Sequence, residues 1–281
     1  MTKSAVPPIL AGKHYGAPSV FVPENLLREA RRQKRLEGRA VPAVCVLDPD
    51  GDIVRQTRAD GRAVRDPEWA CYHTDLYRLT HERTELGLVP CAVGAAFAVL
   101  VAEQLFASGC RLLISVTSSG QLVSLRPPPY FVLIEKALRD EGTSYHYRPP
   151  SEFSSASPLL VEAMNGAFDG LRTPVERGAT WTTDAPFRET AAAVAAMKAK
   201  GLLGVEMEAA ALYAFAEARG KSVICLAHVT NQMAQVEGDF EKGDGEGSAE
   251  ALDVIVAIAN AWSRLVAPGP AHLARQRDVP T

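Results

Sequence analysis

A short acidic motif precedes an almost wholly apolar run in the second half of the chain. Glu206 and Glu208 flank Met207, and residues 209–216 are all apolar or aromatic. A helix that begins here would tolerate acids in its first turn, because free amides and the helix macrodipole favour negative charge there. Residues two apart lie on different helix faces, so the two carboxylates are expected to have different roles. The motif is either a pair of ordinary N-terminal helix acids or a carboxylate site for the hydroxyl groups of a substrate.

Two polar segments follow apolar runs that are typical of buried strands. Ser118, Ser119 and Gly120 come after the run 111–117, and Asn231 follows a second such run. Ligands of parallel sheets bind beyond the carboxyl ends of the strands. Hydroxyls, amides and a glycine can hold an anion or a sugar oxygen there, although the same residues also suit an ordinary exit from a strand.

A third candidate segment, residues 178–188, combines an aromatic ring with charged groups. Trp181 has the ring to stack on a planar base, and Asp184 and Arg188 have the groups to hydrogen-bond its edge. The alternative is that Asp184 caps a helix in which Pro186 is an early residue. The two roles are compatible with each other.

Apolar periodicity and turn residues divide the chain into alternating strands and helices. Strands are expected at 41–47, 71–79, 85–93, 111–117 and 221–229. Helices are expected at 23–36, 94–108, 130–139, 157–165, 190–200 and 249–266, and after residue 208. The strand–helix–strand unit within 85–117 predicts a right-handed parallel crossover. We therefore expect an α/β fold, a three-layer αβα sandwich with a central mixed, mainly parallel sheet.

Length and composition indicate one large domain. The chain has 281 residues, of which 47% are hydrophobic, and this is enough for a substantial core. The expected organisation is an arm at 1–22 that is rich in proline and glycine, a domain at 23–267 and a disordered tail at 268–281. Within the domain, the glycine-rich segment 237–248 is expected to be a mobile loop.

Charge and cysteine usage exclude several classes of function. A formal net charge of -3 gives no general nucleic-acid footprint, and we expect neither a signal peptide nor a membrane span. None of the five cysteines forms a Cys-x-x-Cys pair or a His–Cys group with metal-ligand spacing. Cys45, Cys91 and Cys225 lie in apolar runs typical of buried thiols. A reducing cytoplasm and no bound metal are expected.

The sequence Gly-Val-Glu-Met-Glu-Ala-Ala at 204–210 resembles the signature of the nucleoside phosphorylase family. That family contains purine nucleoside phosphorylases, uridine phosphorylases and related nucleosidases, and the resemblance, closest to uridine phosphorylase-like members, runs in order from about Val41 to Val266. It implies that Glu208 holds the ribose 2′- and 3′-hydroxyls and that Met207 packs under the sugar. It also places Ser118 in the family's phosphate and ribose loop.

The resemblance also covers the base end of the expected site. The segment 178–188 lines the base pocket in the family, and Phe187 and Arg188 match it, with Arg188 nearest to the arginine that reads a pyrimidine carbonyl in uridine phosphorylases. Asn231 occupies the position of an aspartate that protonates the purine N7 in purine enzymes. Asparagine cannot act as that acid, so the resemblance favours a pyrimidine-type site.

The expected phosphate groups are only partly present. Gly51 and Arg55 keep the spacing of the family's Gly-Asp-Pro-x-Arg loop without its proline, and Asp50-Gly51 is equally typical of a hairpin turn. Ser115 and His73 stand where the family has further arginines, the second lent by a neighbouring subunit. A phosphate site without arginines loses bidentate charge-assisted hydrogen bonds.

The resemblance implies cleavage of the N-glycosidic bond of a nucleoside. The leading hypothesis is phosphorolysis to a free base and (deoxy)ribose 1-phosphate by a pyrimidine-leaning pentosyltransferase of nucleotide salvage, with phosphate as co-substrate and no cofactor. Glu208 would fix the ribose while Arg188 and Asn231 stabilise the departing base. The alternatives are a nucleosidase that uses water and a nucleoside-binding protein without catalysis.

The resemblance further implies a homo-oligomer, a dimer or a hexamer, in which a neighbouring subunit completes each site. His14 resembles the arm histidine that reaches a neighbour's ribose 5′-hydroxyl, and His73 occupies the second lending position. Alternatively, His14 is a surface residue of a loose arm.

Overall fold

The computed structural model describes residues 6–233, 237–240, 242 and 244–267. The expected tail at 268–281 lies outside this range, as do parts of the expected loop at 237–248. None of the described helices is both long and apolar enough to span a membrane.

The described part of the chain forms ten strands and eight α-helices. The strands are β1 (Val44–Asp48), β2 (Val64–Arg65), β3 (Tyr77–His81), β4 (Thr84–Pro90), β5 (Leu112–Gln121), β6 (Tyr130–Asp140), β7 (Phe153–Ser155), β8 (Val175–Thr183), β9 (Gly204–Glu206) and β10 (Ser222–Asn231). The helices are α1 (Pro23–Lys34), α2 (Asp52–Ala59), α3 (Ala95–Ala107), α4 (Ser144–Tyr147), α5 (Pro158–Ala163), α6 (Ala191–Ala199), α7 (Ala209–Arg219) and α8 (Ser248–Val266).

One mixed sheet contains all ten described strands. Strands β5, β10, β6, β8 and β9 pair in a closed ring, because β10 pairs with β5 as well as with β6. Strands β1, β4, β3 and β2 extend the sheet outward from β5. Five pairings are parallel and five are antiparallel, so the expectation of a mainly parallel sheet is not supported.

Helices cover the sheet on both sides. Helices α3 and α7 contribute to one apolar cluster, and α2 and α8 to another. Residues 209–216 of α7 are all buried, which explains why this helix is apolar on every face. The mixed α/β class with flanking helices therefore agrees with the sequence expectation.

The predicted helix at 130–139 is wrong, because this segment is strand β6. Its run of aromatic and branched residues from Tyr130 to Ile134 is fully buried between β10 and β8. Such a run suits a buried strand as well as a buried helix, and periodicity alone does not separate them. Pairing with two neighbouring strands decides the conformation.

The hairpin interpretation of Asp50-Gly51 is also wrong. Strand β1 leads into helix α2, and its sheet neighbours β4 and β5 are both parallel to it. Gly51 lies between strand and helix with φ of 76°, a left-handed conformation that suits glycine. Cys91 is a further correction, because it is exposed just after β4 rather than buried.

The described part of the N-terminal arm, residues 6–22, forms neither helix nor strand. It nevertheless lies against its own chain. The hydroxyl of Tyr15 donates to the carbonyl of Tyr145 at 3.3 Å, and Lys13 Nζ lies 2.9 Å from His146 Nδ1. The arm is therefore placed partly by helix α4.

Candidate functional site

The two glutamates of the acidic motif have different surroundings. Glu206 ends strand β9 and is buried, and its carboxylate accepts hydrogen bonds from the hydroxyls of Thr180 and Thr182. Its second oxygen accepts from the amides of Glu208 and Ala209, both at 2.7 Å. Burial raises the pKa of Glu206. Glu206 therefore holds strand β8 to the start of helix α7, and its oxygens are committed to this role rather than to the predicted substrate contact.

Glu208 lies at the start of helix α7 and is only 1% exposed. Its Oε1 accepts from the amide of Gly94 at 2.6 Å, and its Oε2 accepts from the amide of Met207 at 3.3 Å. Gly94 is the N-terminal cap of helix α3, so the carboxylate also lies at the positive end of that helix. Burial, and then the neighbouring charge of Glu206, raise the pKa of Glu208 to about 8.

Glu208 faces a cavity of about 360 Å³. Its walls come from the end of β5 (Ser118, Ser119, Gly120), from β9 (Val205, Glu206) and from Met207. Asn231 closes the cavity from β10. The ring of strands places these segments side by side, since Gly120 is in register with both Val205 and Asn231. The structure thus brings together three segments that are far apart in sequence.

Glycines allow this close packing of strands. A side chain at Gly204 would meet Ser119 Oγ at 2.4 Å, and that hydroxyl donates to the carbonyl of Val205 at 2.8 Å. The hydroxyl of Ser119 is therefore already hydrogen-bonded within the wall of the cavity.

Asn231 is buried and faces the cavity, as expected. Its Oδ1 accepts from the amide of Met233 at 2.8 Å, and its Nδ2 donates to the hydroxyl of Thr230 at 3.1 Å. Nearby His228 stacks on Phe131 with the ring centres 4.4 Å apart, and burial lowers the pKa of His228 to about 4.

The structure corrects three residues predicted at the base end. Trp181 is 3% exposed, packs among apolar side chains and donates to Asp140 Oδ2 at 2.9 Å, so it does not line the cavity. Asp184 accepts from the amide of Gly142, and the short 3-10 helix Pro186–Arg188 is capped by Ala185 instead. Arg188 is exposed and is not part of the cavity wall. Because strand β8 continues to Thr183, the side chain of Trp181 lies in the core.

Other side chains surround the mouth of the cavity. Phe187 lines the mouth, as predicted, yet it is 99% exposed. Glu189, Met233 and Phe240 stand beside it and were not predicted. No motif marks these residues, because they come from connections that only the fold brings to one place.

The opposite end of the cavity contains an unpredicted carboxylate. Asp50 Oδ2 accepts from the amide of Ser118 at 2.9 Å, and Oδ1 accepts from its hydroxyl at 3.0 Å. Of the three residues predicted to bind phosphate, Ser118 lines the cavity, whereas Gly51 and Arg55 do not. The amide of Gly51 donates to Asp48, and Arg55 pairs with Asp52 at 2.6 Å.

The two histidines that were predicted to complete a neighbouring subunit's site lie on the surface of their own chain. His14 and His73 are exposed, and neither belongs to the cavity wall. His73 packs edge-on against Phe97 with the ring centres 6.4 Å apart. Their predicted roles toward a neighbouring subunit remain predictions.

Other cavities and polar groups among the described residues are less suited to chemistry. A larger cavity of about 640 Å³ lies between β7, α5 and the end of α7, and it contains none of the predicted site residues. His81, Glu82 and Asp253 bring possible ligand atoms within 4.8 Å of one another on the surface. The two carboxylates are exposed, and exposed acidic groups commonly cluster without a metal, so we assign none.

Comparison with known proteins gives one matching family and solved structures with a similar fold. The profile of the phosphorylase superfamily matches residues 46–266. The fold is similar to that of uridine phosphorylase from Vibrio fischeri ES114 complexed with 6-hydroxy-1-naphthoic acid, with a TM-score of 0.67 and 19% identity over 80% of this chain and 92% of that chain. A second structure of that protein gives a TM-score of 0.66 and 20% identity over 90% and 99%. A search of curated proteins gave no match.

Proposed function

Because this chain belongs to the phosphorylase superfamily, we propose that it cleaves the N-glycosidic bond of a nucleoside in the cavity that Glu208 faces. The observation that carries the proposal is the buried Glu208 carboxyl, held by the amides of Gly94 and Met207. A carboxyl group fixed in this way has oxygen atoms left to bond two adjacent hydroxyls of a ribose.

Cleavage of this bond develops positive charge on the sugar and negative charge on the base. Glu208, held at the sugar end, stabilises and orients the ribose. The amide of Asn231 is the polar group of the wall that bonds the departing base. Preorganised groups of this kind lower the barrier because they need not reorient during the reaction.

Two nucleophiles are compatible with this cavity. Phosphate would yield a free base and (deoxy)ribose 1-phosphate, and both the family membership and the fold likeness to uridine phosphorylase support this pentosyltransferase reaction. Water would yield free ribose, and the carboxylate of Asp50 beside Ser118 supports this second candidate. Neither reaction requires a metal or an organic cofactor.

The proposed substrates are pyrimidine nucleosides, in a cytoplasmic salvage reaction. The support is Asn231, because an amide can bond a pyrimidine carbonyl but cannot supply the proton that a departing purine requires.

The test is product analysis of a panel of purine and pyrimidine nucleosides, each incubated with and without phosphate. Release of a free base supports the proposed function, and the sugar product identifies the nucleophile. Saturable binding of nucleosides without any release of base would instead show a nucleoside-binding protein.

We also propose a homo-oligomer in which His14 or His73 reaches the cavity of a neighbouring chain. Both residues are exposed and available for such a contact. Light scattering that gives a monomeric mass would contradict the assembly. Mixing Glu208→Gln chains with His73→Ala chains, each of reduced activity, should raise the activity above that of either variant alone if the site is shared. No recovery after confirmed subunit exchange would show that each chain completes its own site.

A further inference from the structure

One end of the cavity has donors suited to an anion, and a carboxylate of the chain already occupies them. Asp50 follows strand β1, and its two carboxylate oxygens accept the amide and the hydroxyl of Ser118 at 2.9 and 3.0 Å. These are the donors that a phosphate ion would otherwise use at this strand end. A carboxylate of the chain itself therefore occupies the anion-binding position.

The surrounding charges disfavour a second anion. Glu208 lies in the wall of the same cavity, and Asp48 and Asp52 flank Asp50 in the chain. Burial and the charges of Asp50 and Asp52 raise the pKa of Asp48 to about 7, although two backbone hydrogen bonds lower it. A phosphate ion that entered would lie beside the Asp50 carboxylate and would have to compete with it for the two donors of Ser118.

The nearby cations are already engaged. Lys242 lies 3.5 Å from Asp50 but is paired more closely with Asp52. Arg55 also pairs with Asp52, and its side chain is 65% exposed. Among the described residues of the cavity wall there is neither an arginine nor a lysine. The charge-assisted hydrogen bonds that hold phosphate in a dry site are therefore missing from this wall.

From these contacts we propose that Asp50 replaces phosphate and that the nucleophile is water, with Asp50 as its proton acceptor. This inference rests on the proposed cleavage of a nucleoside. In the step, a water oxygen bonds to the anomeric carbon and the glycosidic bond breaks with its electron pair moving to the base. One water proton passes to the Asp50 carboxylate, and from there, directly or through solvent, a proton reaches the base. The sum is nucleoside plus water giving free base plus free ribose.

The first experiment follows the sugar product in phosphate-free buffer and in rising phosphate. We expect the same rate of base release in both, with free ribose as the product. In ¹⁸O-labelled water the label should appear on the anomeric carbon. Base release that depends on phosphate and yields ribose 1-phosphate would overturn the inference while leaving the proposed function intact. If no nucleoside in the panel is cleaved, the proposed function fails, and this inference with it.

The second experiment replaces the proton acceptor. Asp50→Asn keeps a carbonyl oxygen for Ser118 but removes the base, so kcat should fall about 100-fold or more while KM changes little. Asp60→Asn, on an exposed carboxylate just beyond the end of α2, is the matched control and should behave like the wild type. Asp50→Glu should recover part of the rate.

The same variants separate catalysis from positioning of the loop. If Asp50 only ties the loop after β1 to β5, Asp50→Asn will leave kcat unchanged or will lower it together with the melting temperature. Either result overturns the proposed role. A further variant, Asp50→Ser, removes the charge from the anion-binding position. It should bind inorganic phosphate more tightly than the wild type in calorimetry, and equal affinities would count against the inference.

Discussion

The two ends of the cavity are built in different ways. At the end that we propose holds the sugar, Glu208 is 1% exposed and its carboxyl accepts from the amides of Gly94 and Met207. At the base end, Phe187 is 99% exposed and Phe240 is 55% exposed. The sugar end is thus formed before any ligand binds, whereas the aromatic residues of the base end have little to pack against in the ligand-free chain.

This difference has a physical origin. Strand ends and helix starts hold the sugar end, so its side chains have few conformations to lose on binding. The base end comes from the connection after β8 and from the segment after β10. Recognition of the sugar should therefore be strict, and recognition of the base more permissive. Four variants or conditions test this contrast.

The largest effect is expected at the sugar end. Glu208→Gln keeps the shape of the side chain but replaces one carboxyl oxygen with an amide nitrogen that cannot accept a hydrogen bond, and leaving one buried donor unpaired costs about 1–3 kcal/mol, or roughly 5- to 150-fold in kcat/KM. The melting temperature should change little. Glu162→Gln, on an exposed glutamate, is the control. Unchanged kinetics with ribosides would return Glu208 to a purely structural role.

The buried carboxyl of Glu208 should also make the free energy of unfolding depend on pH. The pKa of Glu208 is raised from 4.5 to about 8, so the folded state binds this proton more tightly than the unfolded state. Its contribution to stability is complete below pH 4.5 and is lost as the pH rises toward 8. The loss should be about 5 kcal/mol at most, since the pKa rises by more than three units and a full unit corresponds to about 1.4 kcal/mol.

Denaturant unfolding of the wild type and of Glu208→Gln at several pH values measures this dependence. Comparison of the two chains cancels the similar contribution of Asp48, whose pKa is raised to about 7. Two stability curves that stay parallel across this range would show that Glu208 ionises normally in the folded chain.

At the base end, Phe187→Ala should act on binding alone. The ring is fully exposed, so its removal should leave the free energy of unfolding unchanged within about 0.5 kcal/mol. If the ring closes on the base, KM should rise by roughly fivefold, corresponding to about 1 kcal/mol of lost stacking. Unchanged KM would mean that the ring stays in solvent when the nucleoside binds.

The smallest effect is expected from Asn231→Asp. A carboxyl group can donate the proton that an amide cannot, so the ratio of kcat/KM for purine over pyrimidine nucleosides should rise severalfold. The effect is small because Asn231 already bonds Met233 and Thr230, and an aspartate would have to give up one of these contacts. A constant ratio would place Asn231 away from the base.

Local sequence was sufficient for the sugar end. The motif at 204–210 predicts the family, and the family profile confirms it. The expectation that Glu206 and Glu208 differ agrees with the structure, because Glu206 ends strand β9 whereas Glu208 is the N-terminal cap of helix α7. The α/β alternation likewise follows from periodicities that each segment carries by itself.

The tertiary structure alone decided the rest. Tyr130–Asp140 is a strand because β10 and β8 pair with it, and Trp181 turns inward because the same ring of strands extends to Thr183. Asp50 and Ser118 are 68 residues apart, and only the parallel contact of β1 with β5 brings them within hydrogen-bonding distance. Sequence therefore determined which groups are available for chemistry, while the closure of the sheet determined which of them meet, because strand pairing depends on partners far along the chain.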